Sequence, residues 1–187
     1  MNANSALKRL FEAICFTIIF SLTASASYAV TTGEIDASVN AALHRFSQQV
    51  KGGRAFQEIA KGVLVIPNIT KAAFILGGQY GQGALREDSK TIAYYSMAAG
   101  SFGFQVGAEK YDLVIIFATE EAIEKFRQGK GWEAGVDAEV TLVEAGLDMP
   151  VSTLVSQHPV LGFIIDQKGL MAGASIKGAK FSKIKPD

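Results

Sequence analysis

The first regular pattern in the chain is an apolar stripe at helical spacing. It starts just after Thr31 and Glu34, whose spacing is that of a capping box, in which two side chains satisfy free amides at a helix start. The stripe predicts an amphipathic helix over Ile35–Val50, which ends at Gly52-Gly53 because glycine enters the left-handed cap conformation without a steric penalty. Its apolar positions are Ile35, Val39, Ala42, Leu43, Phe46 and Val50.

Beyond Gly62 the pattern changes to alternation or to continuous apolar runs, which are typical of strands. A short helix from Arg54 to Lys61 precedes this change, and a third helix follows later, capped by Thr119 and closed by Gly129. The run Asp112–Ala118 is apolar on both faces and predicts a central strand. The other predicted strands are Val63–Ile66, Ala73–Tyr80, Thr91–Met97, Phe102–Ala108, Val160–Asp166 and Leu170–Lys177, of which the last two form a hairpin.

Glycine interrupts the apolar runs repeatedly between Ala60 and Glu109, where Pro67 is the only proline. Glycine inside a strand marks a bulge, a bend or the close approach of another backbone. The sequence therefore predicts an α+β fold with a curved, glycine-rich antiparallel sheet, barrel-like or sandwich-like. An N-terminal amphipathic helix packs on this sheet, and short additional helices complete the fold. No repeat or linker divides residues 30–187, so we expect one domain.

The residues before this domain have the features of a secretory signal peptide. Lys8 and Arg9 precede the apolar run Leu10–Leu22, which is shorter than the roughly 20 residues of a membrane-spanning helix. Small residues then lead to an expected cleavage after Ala29, which separates a signal peptide, residues 1–29, from the single domain, residues 30–187. We expect export to the periplasm or cell envelope. A retained N-terminal anchor is the alternative, because Glu12 interrupts the apolar run.

Charge and cysteine content narrow the classes of partner. The chain has 18 basic and 18 acidic residues, and this neutral balance argues against nucleic-acid binding, which depends on a basic surface. The only cysteine, Cys15, lies in the predicted signal peptide, so the mature domain has neither a disulfide nor a thiolate metal site. We therefore expect no nucleic-acid partner, no metal and no cofactor.

The sequence contains no set of residues with catalytic spacing. The segment Gly77–Gly83 is rich in glycine, but a phosphate loop needs a helix after its glycines, and strand-like sequence continues on both sides. The two histidines, His44 and His158, lack the spacing of a zinc motif, and a proline after His158 favours extended backbone there. The sequence predicts a protein that is not an enzyme.

The C-terminal segment carries the densest cluster of positive charge. Four lysines are interleaved with two apolar residues, and the set is Lys177, Lys180, Phe181, Lys183, Ile184 and Lys185. We interpret it as a contact site for anionic lipid head groups, although a frayed, solubilising tail has the same composition. The helix Ile35–Val50 is a second candidate, since Arg45 and Lys51 lie beside its stripe and such a helix can lie in a membrane interface. Packing on the sheet is the alternative for that helix.

Three ordered motifs across the domain resemble the SYLF domain family. The first combines Ala60, Lys61, Gly62 and Pro67 with Lys71, Ala72, Phe74, Gly77, Gly78, Gly81 and Gly83. The second comprises Gly100, Ser101, Phe102, Gly103, Gln105, Gly107 and Glu109, and the third comprises Gly169, Leu170, Ala172, Gly173, Ser175 and Gly178. The resemblance implies a lipid-binding module without catalytic activity, whose eukaryotic members bind phosphoinositide membranes and, in some cases, actin filaments.

The residues and the resemblance together favour an exported, bacterial-type member of this family that binds lipid at a membrane surface. The expected partner is an anionic phospholipid membrane, contacted by the C-terminal cluster and by Arg45 and Lys51. Two alternatives stay open. One is a module that binds a protein, as the actin-binding members do, in which case an exported chain would meet actin in a host cell. The other is an envelope structural protein or a small-ligand carrier that uses an apolar cavity in the curved sheet.

Overall fold

The structure is a computed structural model, and it describes residues 30–72, 77–101, 108–129, 131–144, 149–166, 169–171 and 175–187. These ranges form four helices and nine strands, which confirms the predicted α+β fold. The helices are α1 (Thr32–Gln49), α2 (Gly53–Ile59), α3 (Glu120–Gln128) and α4 (Val151–Gln157). The strands are β1 (Gly62–Ala72), β2 (Gly77–Glu87), β3 (Lys90–Ser101), β4 (Ala108–Phe117), β5 (Trp132–Glu133), β6 (Thr141–Leu142), β7 (Val160–Asp166), β8 (Gly169–Leu170) and β9 (Lys180–Ile184). None of the described helices has the length and apolar character needed to cross a membrane.

The nine strands form one curled sheet with the shape of a half-barrel. Eight of them follow the order β5-β9-β3-β2-β1-β4-β7-β6, and β8 pairs with β7 outside this path. The long strands pair antiparallel, as the sequence predicts, whereas β6 runs parallel to β7, so the sheet is mixed. Strand β9 pairs with β3, which brings residues 180–184 beside the β2–β3 hairpin.

Helix α1 forms where its sequence pattern predicts. The Glu34 amide donates to Thr31 Oγ1 at 3.3 Å, and the Thr31 amide donates to the Glu34 carboxylate at 2.9 Å, which completes the capping box. The stripe of the helix packs on the sheet, and its buried members are Ile35, Val39, Ala42 and Phe46. The apolar face of α1 therefore belongs to the core, as the alternative interpretation of this helix held.

The opposite face of the sheet has a second apolar core, centred on α3. Phe126 of this helix packs against the rings of Tyr95, Phe117 and Trp132, with ring centroids 4.8, 4.9 and 5.4 Å away. Thr119 caps the helix as predicted, since its hydroxyl accepts the Ala122 amide at 3.2 Å. Helices thus cover both faces of the sheet, with Phe56 of α2 and Leu154 of α4 joining α1 on one face and α3 packing on the other, and both faces contribute to the stability of the fold.

The predicted strand boundaries differ from the structure around Pro67. The predicted strand Val63–Ile66 continues through this proline to Ala72 as β1. The proline lies in a bulge, where the register with β4 shifts between Ile66 and Ile69. Proline is tolerated there because a bulge leaves a residue outside the ladder, so its missing N–H costs no hydrogen bond.

Three other predicted strands differ from the structure or lie partly outside its described residues. The strand predicted over Ala73–Tyr80 is observed as β2, Gly77–Glu87, and residues 73–76 lie outside the described residues. Most of Phe102–Ala108 also lies outside them, and β4 begins at the last of these residues. The prediction over Leu170–Lys177 is wrong for its described part, because strand β8 ends at Leu170 and residues 175–177 are not in a strand.

Gly83 shows why glycine recurs in this sheet. A Cβ atom at this position would lie 1.8 Å from the Val65 carbonyl oxygen and 2.8 Å from Ile66 Cα, both on β1. Because both contacts are with backbone, a larger residue would push β1 away from β2. The predicted reason for glycine, the close approach of another backbone, is confirmed at this position.

Candidate binding surface

Arg45, one of the predicted lipid contacts, forms an ion pair within the fold. Its Nη2 and Nε atoms lie 2.6 Å and 2.8 Å from Asp112 Oδ2, and Asp112 is only 4% exposed. Asp112 Oδ1 also accepts the amide of Asn68, at 2.9 Å, where Asn68 takes a left-handed φ of 52° beside the bulge in β1. Asp112 thus connects α1 with β1 and β4. The sequence alone does not reveal this role, because Asp112 is only the polar first residue of a predicted apolar strand.

A second polar cluster holds the first half of α1. Asp36 accepts hydrogen bonds from Thr91 Oγ1 at 2.7 Å and from the Tyr94 hydroxyl at 2.9 Å, both on β3. Arg86 on β2 donates to Asn40 Oδ1 at 2.7 Å and lies 3.5 Å from the Asp36 carboxylate. Burial by itself would raise the pKa of Asp36, but the two hydrogen bonds and the Arg86 charge outweigh it and lower this pKa. Both ends of α1 are therefore fixed to the sheet.

The predicted basic contacts outside α1 are exposed, but the C-terminal lysines do not share one face. Lys180 and Lys183 both lie on β9, where side chains alternate between the faces of the sheet, so these two lie on opposite faces. Lys177 lies in the turn before β9, and Lys185 follows the strand. Lys51 lies in the turn after α1. The structure does not gather these side chains into a single basic patch.

The two apolar members of the C-terminal cluster are part of the sheet. The frayed-tail interpretation is wrong, because residues 180–184 pair with both β3 and β5. Phe181 is fully buried, with its ring centroid 5.5 Å from that of Trp132, so it is not available for contact with lipid. Ile184 is half-buried opposite Tyr94. The fold thus buries Phe181 and half-buries Ile184, which a count of lysines along the sequence does not reveal.

Six residues at the surface line up across six neighbouring strands. Each is the direct cross-strand partner of the next, and direct partners lie on the same face of a sheet. We call this set the exposed row, and from β5 to β4 it consists of Glu133, Lys180, Ala98, Tyr80, Thr70 and Lys110. No local signal in the sequence points to this row, because its members come from six different strands.

The exposed row lies on the same face as α1, beyond the area that the helix covers. Lys110 stands two residues before Asp112 on β4, and alternate residues of a strand share a face. Lys110 therefore lies on the side where Arg45 of α1 binds Asp112. Tyr80 is 52% exposed, and Thr70 and Lys180 are exposed as well. This part of the sheet is open to a partner.

Tyr80 borders a shallow depression of about 700 Å³ with a largely apolar lining. Several of the lining residues are small: Gly78, Ala98, Ala99 and Gly100. The Tyr80 hydroxyl accepts a hydrogen bond from Gln82 Nε2 at 2.9 Å, and at one end of the row Lys180 Nζ lies 3.9 Å from the Glu133 carboxylate. An exposed aromatic ring among small residues, with a lysine on either side, suits contact with an extended partner.

The histidines are not brought together with other reactive side chains. His44 Nε2 lies 3.5 Å from Gln48 Nε2 on α1, and His158 Nδ1 lies 3.1 Å from Thr141 Oγ1. Among the residues that the structure describes, no three histidine, cysteine or acidic side chains stand close enough to hold a metal ion. The exposed row, which draws on six strands, is therefore the part of the described surface taken as the candidate binding site.

The fold and the exposed row define a class of protein, a curled-sheet module with an open face. A family model described as "Ysc84: Las17-binding protein actin regulator" matches residues 98–185, which include Lys110, Glu133 and Lys180 of the row. This match of the Ysc84, or SYLF, family model confirms the resemblance seen in the motifs of the chain. The family is one of binding and regulator domains.

Longer eukaryotic proteins are similar to part of this chain. The chain is 27% identical over 125 residues to the human "SH3 domain-containing YSC84-like protein 1", an alignment that covers 64% of this chain and 36% of the relative. It is 28% identical over 127 residues to "LAS seventeen-binding protein 3" of Saccharomyces cerevisiae, covering 64% of this chain and 28% of the relative. It is also 28% identical to "Protein YSC84" of the same yeast, in an alignment that covers 64% of this chain and 27% of the relative. The chain thus spans about a third or less of each of these relatives.

Proposed function

We propose that this chain is a non-enzymatic lipid-binding module that acts at an anionic membrane surface. The observation that carries the proposal is that all four C-terminal lysines stay exposed although β9, which bears two of them, is built into the sheet. Their charges are thus presented by a folded scaffold. A lysine near an anionic surface contributes about 1 kcal/mol, so even contact by all four would reach only about 4 kcal/mol, a millimolar affinity. Membrane attachment therefore also needs contacts beyond these charges.

Replacing Lys177, Lys180, Lys183 and Lys185 by glutamine should weaken binding to anionic vesicles by at least about fivefold, the effect of one lysine in contact with the surface. The attraction should also fade with salt in the wild type, because the Debye length falls from about 10 Å at 0.1 M to about 3 Å at 1 M. Co-sedimentation of the purified protein with phosphatidylglycerol-containing, phosphoinositide-containing and neutral vesicles measures the effect. The melting temperature of the variant should match that of the wild type, since exposed lysines rarely hold a fold. The proposal would be wrong if the wild-type protein stayed in the supernatant with every vesicle type and at every salt concentration.

Export to the periplasm or cell envelope is the second part of the proposal. It is supported by the basic start, the apolar run and the small residues that precede Ala29. N-terminal sequencing of the protein recovered from the envelope fraction should begin at Val30. Recovery of a chain that still begins at Met1 would contradict cleavage and favour the retained anchor.

A protein-binding function is the second candidate, favoured by the description of the family. Its model is named for Las17 binding and actin regulation, and one yeast relative is named "LAS seventeen-binding protein 3". A chain of this type would bind a protein through an open face such as the exposed row. Co-sedimentation with actin filaments, compared with the vesicle experiment, separates the two functions. Filament binding without vesicle binding would support the protein partner.

A further inference from the structure

We propose, on the basis of the lipid-binding function above, that the exposed row is the face of the protein that lies against the anionic membrane. This assigns a contact role to Lys110 and Tyr80, which no cluster in the sequence marks, and to Lys180 alone among the four C-terminal lysines. Three features of the described residues support the assignment: the spacing of the lysines about the tyrosine, the open surface between them, and the balance of charge.

The row places one lysine on either side of Tyr80 at equal strand distance. From β2, which carries Tyr80, the path through β3 to Lys180 on β9 crosses two strand spacings, and so does the path through β1 to Lys110 on β4. Neighbouring strands are about 4.8 Å apart, so each lysine stands on a strand about 10 Å from that of the tyrosine. Two charges at this separation can engage different lipid head groups while the ring lies between them.

The surface between the lysines allows close approach. Tyr80 is 52% exposed, and its neighbours in the row, Ala98 and Thr70, have short side chains. Gly78 and Gly100 pair with each other in the same depression and add no side chain. Tyrosine is enriched where proteins meet the membrane–water interface, because its ring is apolar and its hydroxyl is polar. Tyr80 therefore adds the contact that lysine charge alone does not provide.

The charge of the row complements an anionic surface. It carries two lysines and one glutamate, and the Lys180 side chain is 66% exposed whereas that of Glu133 is 33% exposed. The more accessible charges are thus positive. Arg45 lies next to this area but is paired with the buried Asp112, so it is not counted among the contacts.

The other C-terminal lysines have different surroundings. Lys183 lies on the opposite face of the sheet, where it borders a depression of about 450 Å³ together with Glu124 and Arg127. Lys177 borders another depression, of about 300 Å³, together with Glu139. A membrane that lies against the exposed row cannot also touch Lys183 across the sheet. The lysines of one short segment should therefore contribute unequally.

Two double variants with the same change of charge test the inference. Lys110→Gln with Lys180→Gln removes the charges of the row, and Lys183→Gln with Lys185→Gln removes two exposed charges outside it. Binding is measured by titrating each purified protein with vesicles of phosphatidylcholine mixed with phosphatidylglycerol. We expect the row variant to bind about thirtyfold more weakly than the wild type, about fivefold for each lysine. The second variant should lose less than about threefold, because charges beyond a Debye length of about 10 Å are screened.

Further variants separate charge from shape. Lys110→Arg with Lys180→Arg keeps both positive charges and should retain binding. Tyr80→Thr removes the aromatic ring but keeps a strand-forming residue, and it should weaken the part of the binding that survives at high salt. Thermal melting of every variant confirms that the fold is intact. Equal losses in the two glutamine variants, or a larger loss in the second, would overturn the assignment of the face and leave the lipid-binding function standing. Absence of vesicle binding by the wild type would overturn both.

Discussion

Replacing Phe46 by alanine should lower the free energy of unfolding by about 3–5 kcal/mol, the usual cost of removing a buried phenylalanine ring. Phe46 belongs to α1, and its side chain is fully buried between this helix and the sheet. Its ring packs edge to face against that of Phe163 on β7, with the ring centroids 4.9 Å apart. The substitution removes this aromatic contact and leaves a cavity between the helix and the sheet. A denaturant titration followed by circular dichroism measures the change.

Gln49→Ala is the matched control, because Gln49 lies on the same helix and is exposed. It should change the free energy of unfolding by no more than about 0.5 kcal/mol. An unfolding midpoint for Phe46→Ala equal to that of the wild type would mean that the stripe of α1 does not pack on the sheet. The helix Ile35–Val50 would then again be a candidate for membrane contact.

Replacing Asp112 by alanine should lower the free energy of unfolding by about 3 kcal/mol, the lower end of the range for breaking a buried ion pair. The change removes the carboxylate on which the Arg45 guanidinium and the Asn68 amide converge. The cost stays at the lower end because the Arg45 side chain is 37% exposed and can turn toward water. The same denaturant titration measures it, and a double-mutant cycle with Arg45→Ala gives the coupling between the two side chains.

The ion pair between Lys125 and Glu121 on α3 serves as a control, because it differs from the Arg45–Asp112 pair mainly in its exposure to water. Its atoms lie 2.7 Å apart, close to the 2.6 Å of the Arg45–Asp112 pair, but its side chains are 66% and 78% exposed. Glu121→Ala should therefore leave the stability near that of the wild type, since water screens an exposed pair. Equal effects of Asp112→Ala and Glu121→Ala would show that Asp112 is not needed to hold α1 on the sheet.

Local sequence patterns were sufficient for the elements whose causes are local. The capping box and the stripe of α1 act between residues a few positions apart, so the helix could be predicted with its start and its buried face. The reason for Gly83 was among those that the sequence offered, because a glycine in an apolar strand indicates a bulge, a bend or the close approach of another backbone. Which backbone approaches, the carbonyl of Val65, could not be predicted, because β1 was expected to end before Pro67.

The α+β class, the amphipathic helix, the apolar strands and, through the motifs, the resemblance to the SYLF family all follow from the sequence alone. Two features are visible only in the folded chain: residues 180–184 form a strand between β3 and β5, and Asp112 is buried against Arg45. A period of two along a strand indicates that one face is buried, but it does not indicate which strand becomes the neighbour or in which register. Those choices follow from burying both faces of the whole sheet at once. They also decide which lysines share a face, so Lys110 joins Lys180 in the exposed row while Lys183 does not.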